Sequence, residues 1–370
     1  MKCCENCFKD VDIKERIKAI NEKGQCDFCQ SNDVYVLDID KALKNNDYSK
    51  NIIADFNDLL DLYTVYDRKQ KDYQRYSDDA RKLSEQLFFN TNIFNLEVNK
   101  ISKLLKSLLA EYYGKNNELF EDLVIPEYLL DDKLKKNNGI FGGKGWKAFE
   151  NRIKYINRFH SNMANKKILE AFFNNLIVNI GKSKRFYRAR ISDSGKPISN
   201  ENMGAVPLGL STPGRLNASG IGYLYLCQDY KVALGEIKAS LNDVCTVASF
   251  EISEELKLVD LSQISVLSIF SFEDKITYLM NFDILKQIDI VMREISNKNR
   301  SEIAYVPTEY MSDLIKDMDN VDGIIYESTI DNDTKDLVLF DDEKVHLLEE
   351  ETINYVVKGI NYTQLDKLER

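Results

Sequence analysis

Apolar residues in the middle of the chain recur at the spacing of a helix. Between residues 94 and 112 they lie three or four positions apart, at Phe94, Val98, Ile101, Leu105, Leu108 and Tyr112. This spacing puts them on one helix face. The region has few β-branched runs and a single proline, Pro126, and further helices are predicted at 50–67, 77–90, 117–130, 145–160 and 162–180. We therefore predict a helical domain over residues 41–182.

The pattern changes after a short polar break at residues 182–185. Short apolar segments rich in β-branched and aromatic residues follow, and they are typical of strands. They lie at 186–191, 222–227, 245–252, 256–261, 323–328, 337–340 and 345–348. Helical spacing returns at 230–241, 275–296 and 308–319. This mixture predicts an α+β domain over 183–350, with a C-terminal extension over 351–370.

The composition narrows the classes of protein that this sequence fits. Its 370 residues exceed one typical core, so two or three domains are expected. The net charge of −10 argues against general binding to nucleic acid or to an anionic membrane. The N-terminus lacks a basic start followed by an apolar core, and no apolar run has the length of a membrane span. We therefore expect a cytoplasmic protein, in which thiols stay reduced.

Five of the seven cysteines lie within the first 29 residues. Cys4 and Cys7 form one CxxC pair, and Cys26 and Cys29 form a second pair 18 residues later, which is the spacing of a two-knuckle zinc site. Four thiolates would close a tetrahedral shell around a structural Zn²⁺ and leave no position for substrate. The spacing leaves open whether Cys3 or Cys4 is a ligand, and buried or redox-active thiols are the plainer alternative. We predict a zinc-knuckle segment over residues 1–40.

A set of short motifs is spread over the C-terminal half. Residues 187–191 read YRARI, residues 214–217 read GRLN, residues 223–226 read YLYL and residues 232–237 read VALGEI. YVPTE follows at 305–309 and DGIIYES at 322–328. In this order the motifs resemble the RES domain, over roughly residues 185–350. The resemblance implies a fold like that of the ADP-ribosyltransferases and an enzyme that consumes NAD.

The resemblance also implies roles for individual residues. Arg188 and Arg215 would line the NAD pocket, since a guanidinium binds phosphate through a planar fork of donors, and Arg215 is the better candidate for the phosphate. Glu236 would hydrogen-bond the ribose hydroxyls and offset positive charge on the sugar. Tyr225 would shape the nicotinamide side or stack there. The plainer alternatives are surface ion pairs, a solvated helix acid and a core tyrosine.

Three further residues are candidates on the same grounds. Ser328 would bind the nicotinamide amide or the ribose, and a serine nucleophile is not expected because no Ser-His-acid relay is evident. Asn217 would fix the GRLN turn or contact the ligand. RES domains often carry Gln where this chain has Glu309, so this acid would add a negative charge near the presumed site.

The expected chemistry is cleavage of the bond between nicotinamide and ribose. The nicotinamide ring starts positively charged and departs neutral, so no leaving-group oxygen has to be protonated, unlike in most glycosidases. The site must hold a diphosphate, orient the sugar and stabilise an oxocarbenium-like centre. Arg188, Glu236 and Ser328 are the predicted catalytic residues. Arg215, Asn217 and Tyr225 are predicted, with Arg188, to bind NAD.

The helical segment has a resemblance of its own. Arg158 and His160 resemble part of the Arg–His signature of HEPN ribonucleases, but only one residue separates them here, so nuclease activity is not expected. HEPN-like helical domains accompany some RES domains, and a HEPN-like shape is therefore predicted for 41–182. Residues 139–145 are glycine-rich without the P-loop spacing and are predicted to form a loop between helices.

These observations predict an NAD glycohydrolase or phosphorylase that acts as a toxin, paired with an antitoxin or regulatory protein, or as an antiphage defence effector. The substrate is NAD, the structural metal is Zn²⁺, homo-oligomerisation is allowed, and neither nucleic acid nor membrane is an expected partner. One alternative is a protein ADP-ribosyltransferase. Another is a zinc-dependent interaction protein with an inactive RES domain. Hydrolysis, phosphorolysis and transfer break the same bond, so the motifs do not separate them.

Overall fold

The computed structural model describes residues 1–44, 48–293, 302–328, 330–331 and 333–359. The chain divides into two compact units. The first unit consists of Met1–Phe149, His160–Leu169 and Gln263–Gln287, and the second of Glu150–Phe159, Glu170–Ser262 and Ile288–Arg370. Two predicted segments run past the described ranges: residues 294–296 of the predicted helix and 360–370 of the predicted extension lie outside the described residues.

Strands β1 to β6 belong to the first unit and β7 to β14 to the second. They are β1 Lys2–Cys4, β2 Lys23–Gly24, β3 Val34–Asp38, β4 Tyr63–Val65, β5 Arg81–Lys82, β6 Leu123–Pro126, β7 Ile177–Ile180, β8 Arg185–Ile191, β9 Leu224–Cys227, β10 Val244–Ile252, β11 Leu256–Asp260, β12 Gly323–Glu327, β13 Lys335–Leu339 and β14 Val345–Val356. All the strands predicted after residue 185 are present, and β14 continues eight residues beyond the predicted end at 348.

The α-helices are α1 Val11–Ala19, α2 Ile39–Ala42, α3 Tyr48–Leu60, α4 Leu83–Asn90, α5 Val98–Leu108, α6 Ala110–Lys115, α7 Asn117–Glu121, α8 Asp132–Asn138, α9 Trp146–Tyr155, α10 Lys166–Asn174, α11 Tyr230–Glu236, α12 Lys275–Arg293 and α13 Val306–Lys316. Short 3₁₀ helices occur at Glu5–Cys7, Gln74–Tyr76, Glu127–Leu130, Asn200–Asn202, Leu261–Val266, Ile269–Ser271 and Glu302–Tyr305. Among the described residues, no helix combines the length and the apolar character that crossing a membrane requires.

The predicted helix over 94–112 is shorter than expected. Helix α5 begins at Val98 because the preceding backbone pairs elsewhere: Asn95 N–H donates to the Cys7 carbonyl at 2.8 Å, and Lys9 N–H donates to the Ile93 carbonyl at 2.8 Å. It ends at Leu108 because Leu109 leaves helical geometry, with φ −113° and ψ 40°. The apolar face is correct, and its residues Ile101, Leu104, Leu105 and Leu108 are buried.

The predicted helices over 117–130 and 162–180 are also wrong at their C-terminal ends. The first stops at Glu121, and β6 follows; it pairs with β4 and β5 in a three-stranded sheet of order β4-β6-β5. The second stops at Asn174, and β7 follows and pairs with β11. In both cases pairing with strands distant in sequence overrides the local helical pattern. Residues 41–182 are therefore mainly helical, with strands that the sequence did not predict.

The second unit is built on one eight-stranded sheet of order β14-β10-β8-β9-β13-β12-β11-β7. The β11–β12 pair is parallel, and the other pairs are antiparallel. Alternate residues of these strands point to one face and form a buried core that includes Phe186, Leu226, Phe250, Leu258 and Leu337. Strands and helices together confirm the predicted α+β class.

The opposite face of the sheet carries a row of cross-strand neighbours. Tyr187 pairs with Cys227, Cys227 with Asp336, and Asp336 with Tyr326. Because side chains alternate along a strand, these four project from the same face. Helix α11 packs on this face through Val232 and Ala233. The row and the helix together define the walls of the candidate site.

Candidate active site

A cavity of about 120 Å³ lies where β8 and β9 separate. The two strands pair at a single position, Tyr187 with Cys227. Beyond it the cavity is lined by residues of β8, β9, α11, β12 and β13: Tyr187, Arg188, Ala189, Tyr225, Leu226, Cys227, Ala233, Glu236, Ile237, Tyr326 and Asp336. Three of the predicted site residues, Arg188, Tyr225 and Glu236, therefore line one cavity.

Arg188 is a buried cation with free hydrogen-bonding capacity. Its residue is 9% exposed, and its Nε and Nη1 atoms have no hydrogen-bond partner within the described residues. Burial, and then the charge of Arg190, lower the pKa of Arg188 to about 10, so it stays protonated at neutral pH. Buried N–H groups of a charged side chain are costly to leave unpaired. This arrangement fits a group that waits for an anionic ligand.

Arg190 is held differently from Arg188. It lies two residues along β8, and its Nη1 donates to the backbone carbonyl of Asn202. This bond fastens the strand to the loop that follows it. The charge of Arg190 is the second cause, after burial, that lowers the pKa of Arg188.

Arg215 lies beside the cavity wall. Its guanidinium carbon is 5.4 Å from the centre of the Tyr326 ring, a cation–π distance, and its Nη1 donates to the Met292 carbonyl at 3.2 Å. Its own carbonyl accepts a hydrogen bond from the Thr308 hydroxyl at 2.5 Å. Arg215 contacts a residue that lines the cavity, and it does not itself belong to the lining.

Asn217 is the hub of the turn that carries Arg215. Its Nδ2 donates to Ser211 Oγ and to the carbonyls of Thr212 and Ile221, at 3.0–3.1 Å, and its Oδ1 accepts from the Tyr225 hydroxyl at 2.7 Å. The side chain is buried, and these bonds use both the nitrogen and the oxygen of its amide group. Fixing the turn, one of the two predicted roles, is visible, and ligand contact stays a prediction.

The glycines of this region are required by close packing. A side chain at Gly214 would meet Asn217 Oδ1 at 2.5 Å, and one at Gly222 would meet the Val206 carbonyl oxygen at 1.9 Å. Both distances are shorter than real contacts. The glycines thus let the Asn217 turn close against its neighbours and hold Tyr225 at the cavity.

Glu236 and Ser328 form a direct pair. Helix α11 starts at the Asp229 cap, whose carboxylate accepts from Lys231 N and Val232 N, and it ends at Glu236. The Ser328 hydroxyl, 2% exposed, donates to Glu236 Oε1 at 2.8 Å. A carboxylate at a helix C-terminus is disfavoured by the helix dipole, so helix stability does not account for its position.

Asp336 is a site residue that the sequence reasoning missed. It is 2% exposed, lines the cavity and lies within hydrogen-bonding reach of Glu236. Burial, and then the nearby Glu236, raise the pKa of Asp336 to about 8. The available signal was an acid at an inward position of a buried strand, but the predicted strand began at residue 337 and left Asp336 out.

Glu309 lies at a second cavity, of about 150 Å³. This cavity shares no lining residue with the first and is lined by Ile153, Arg158, Phe159, Ala218, Val306, Glu309, Tyr310 and Asp313. Burial is the main cause that raises the pKa of Glu309 to about 7, while Arg158 opposes the shift. The expected negative charge thus lies among these residues and is not part of the Arg188 cavity.

The four predicted metal ligands form one cluster in the first unit. The sulfur atoms of Cys4, Cys7, Cys26 and Cys29 all lie within 4.8 Å of one another. Three of the separations are 3.8, 3.4 and 3.4 Å, close to the ~3.8 Å that a tetrahedral shell with ~2.3 Å zinc–sulfur bonds requires. The N–H groups of Phe28 and Cys29 point at the Cys26 sulfur, at 3.4 and 3.5 Å. The donor set and spacing fit a tetrahedral metal ion.

The strand register places Cys4, and not Cys3, in the cluster. In the β1–β3 register, Cys3 pairs with Leu37 and Cys4 with Val36. Consecutive strand residues point to opposite faces, so only Cys4 can face Cys7 and the second CxxC pair. Cys3 is buried on the other face, away from the four sulfurs.

Comparison with known families supports the resemblance. Residues 185–358 match the family model described as the RES domain. The match covers the whole of the eight-stranded sheet apart from β7. A search of curated proteins found no match to the chain. A search of solved structures found none either.

Proposed function

We propose that the protein is an NAD-degrading enzyme that cleaves the nicotinamide–ribose bond, because residues 185–358 match the family model of the RES domain. The observation that carries the proposal is that a cation and a carboxylate line the same cavity. Arg188 offers unpaired cationic donors, and Glu236 offers a carboxylate held by Ser328. NAD carries the complementary groups, an anionic diphosphate and a sugar that becomes cationic as nicotinamide leaves.

The size of the cavity indicates which part of NAD enters it. Sites that enclose ligands of drug size usually measure roughly 300–1,000 Å³, and this cavity measures about 120 Å³. It is therefore too small for the whole of NAD, and we propose that the nicotinamide–ribose end approaches it while the rest of NAD lies outside. Arg188 would bind a phosphate or ribose oxygen, and Arg215, beside Tyr326, would bind the diphosphate.

In the proposed reaction the glycosidic C–N bond breaks with both electrons passing to the nicotinamide nitrogen. Glu236 stabilises the cationic sugar, and this electrostatic effect is stronger in a site sheltered from water. Water or phosphate then adds to the sugar carbon. Hydrolysis releases ADP-ribose and a proton, and phosphorolysis releases ADP-ribose 1″-phosphate. Tyr225, fixed by Asn217, would shape the nicotinamide side.

Transfer to a protein is less well supported. A transferase usually places a second acid two residues before its catalytic glutamate, and Leu234 holds that position here. Leu234 is half-buried and offers no polar atom to orient an acceptor. NAD loss should therefore be matched by free nicotinamide and free ADP-ribose or its phosphate. Labelled NAD that modifies a protein stoichiometrically, while bulk NAD stays intact, would establish the transferase instead.

For the first unit we propose a structural Zn²⁺ held by Cys4, Cys7, Cys26 and Cys29. Four thiolates saturate the ion, so its role there is to stabilise the fold.

We further propose that the first unit, with its HEPN-like helical region, inhibits the enzyme or senses the signal that activates it. The enzyme would act as a toxin or defence effector with an antitoxin or regulatory protein. Expression of the RES domain should deplete cellular NAD, and unchanged NAD levels would favour the alternative of an inactive interaction protein.

The decisive experiment uses the full chain with NAD. Product analysis by liquid chromatography, with and without phosphate, would separate hydrolysis from phosphorolysis. Wild-type protein should release nicotinamide, and the Glu236→Gln variant should release far less. Release of nicotinamide at equal rates by both proteins would remove the catalytic role from this cavity.

A further inference from the structure

Asp336 occupies the centre of the sheet face that forms the floor of the cavity. It pairs across the sheet with Cys227 on one side and with Tyr326 on the other. It is 2% exposed, and neither of its carboxyl oxygens accepts a well-formed hydrogen bond within the described residues. At this position an ionised carboxylate loses its water and gains only weak compensation, from the Cys227 thiol and the Ser328 hydroxyl.

The charged groups that act most strongly on Asp336 do not favour its ionised form, although Arg188 lines the same cavity. The neighbouring cation on its own strand, Lys335, donates to Asp260 at 2.7 Å. Glu236 reaches the site from α11 and is an acid itself. Two carboxyl groups in such proximity share one charge more readily than they carry two.

We propose that Asp336 is a positioning residue for Glu236: it keeps its proton at neutral pH and donates it to the Glu236 carboxylate. The Glu236 carboxylate then has two donors, the Asp336 carboxyl and the Ser328 hydroxyl, and the second of these is seen at 2.8 Å. Held in this way, the single negative charge of the pair faces the cavity. The catalytic part of this inference rests on the proposed cleavage of NAD, and the position of the proton does not.

The arrangement makes the site sensitive to alkaline pH. Burial, and then Glu236, raise the pKa of Asp336 to about 8, so the donor is lost as pH rises through this value. Two other titratable groups of the row, the Cys227 thiol and the Tyr326 hydroxyl, stay neutral because burial raises the pKa of each above its ordinary value. Above this pH the second carboxylate repels Glu236, and Glu236 keeps only the Ser328 hydroxyl.

Two substitutions at one position separate positioning from simple packing. Asp336→Asn keeps the size and an N–H donor and removes the titration, whereas Asp336→Ala removes the donor. We expect kcat of the wild type to fall between pH 7 and 9. We expect Asp336→Ala to lower kcat about 10-fold at pH 7 with little change in KM, as for loss of a group that acts in the transition state. Asp336→Asn should recover most of that loss and give a flat profile over the same range.

An activity-independent measurement completes the test. The infrared difference spectrum of the wild type minus Asp336→Asn should show the C=O band of a protonated carboxylic acid at pH 7, and this difference band should be gone by pH 10. The inference is overturned if this band is missing, or if Asp336→Asn keeps the alkaline fall in kcat. The band present in a protein that does not cleave NAD would overturn the proposed function and leave the proton assignment standing.

Discussion

The four-cysteine cluster of the first unit and the Arg188 cavity of the second treat buried polar groups in opposite ways. In the cluster four sulfurs converge within 4.8 Å and leave no open position for substrate. In the cavity Arg188 Nε and Nη1 have no hydrogen-bond partner within the described residues, and neither oxygen of Asp336 accepts a well-formed hydrogen bond there. The first is a closed site that one metal ion would complete, and the second is an open site that a ligand would complete.

This difference predicts that mutations at the two sites change the stability of the ligand-free fold in opposite directions. Removing a ligand of a closed site takes away a partner that the other ligands need, so stability falls. Removing an unpaired buried group from an open site takes away a cost of roughly 1–3 kcal/mol, so the ligand-free fold is stabilised while ligand binding is lost. Active sites commonly show this trade between stability and function.

The largest effect is expected at the metal cluster. Cys26→Ser should abolish the binding of one zinc equivalent and lower the melting temperature of the first unit, because structural zinc contributes roughly 10–16 kcal/mol of apparent binding free energy in isolated peptides. Metal analysis and calorimetry would measure both. Cys3→Ser is the matched control, since Cys3 is buried but faces away from the cluster. A folded wild type without zinc would contradict the closed-site interpretation.

The next effect tests the charge in the open site. Glu236→Gln keeps the size of the side chain and an acceptor for Ser328, and removes the negative charge. Turnover of NAD should fall about 10²-fold or more, roughly 2.7 kcal/mol of transition-state stabilisation, with a much smaller change in KM. Glu350→Gln, an exposed acid on β14, should behave like the wild type. Equal turnover in the Glu236 and Glu350 variants would assign Glu236 a structural role.

Substitution of Arg188 tests most directly whether the open site trades stability for NAD binding. Arg188→Met fills a similar length without unpaired donors, so we expect the ligand-free second unit to gain about 1 kcal/mol and KM for NAD to rise about 10–100-fold. Denaturant unfolding and steady-state kinetics would measure the two. The control, Arg185→Met on the same strand, removes an exposed arginine that pairs with Glu351 at 2.7 Å, and should change either quantity little. A clear loss of stability in Arg188→Met would show that the cavity is closed by contacts rather than open.

The closed site could be predicted from sequence and the open site only in part, for one physical reason. The four proposed metal ligands come from two local CxxC pairs, so spacing predicted the cluster, and the choice between Cys3 and Cys4 needed the strand register. The cavity residues converge from strands far apart in sequence, Tyr187 to Asp336. Residues within the RES motifs were predicted because the motifs mark them. Asp336 lies in no such motif, and the row that places it beside Cys227 and Tyr326 exists only once the strands pair.

The same reason explains the errors in the fold. Apart from β7, the strands of the second unit are rich in β-branched and aromatic residues, and their positions were predicted well. Val124 and Ile125 of β6 form a short apolar run, and a run of this length is equally typical of a strand and of the end of a helix. Their pairing with Val65 and Thr64 of β4 decides the outcome, and that pairing is not encoded locally.

The smallest effect concerns Glu309, a half-buried acid that lines the second cavity and is not a candidate for catalysis. Its pKa is raised to about 7, by burial first, from an ordinary value of 4.5. The folded state therefore holds a proton that the unfolded state has lost between about pH 4.5 and 7, so this residue lowers stability as pH rises through that window. Because the side chain is only half-buried, screening should limit the effect to the order of 1 kcal/mol. Denaturant midpoints of the second unit at pH 5 and pH 7.5 should differ more in the wild type than in Glu309→Gln, which does not titrate. Equal differences in the two proteins would mean that Glu309 is ionised at neutral pH and paired with Arg158, so that this second cavity is closed like the cysteine cluster rather than open like the site of Arg188.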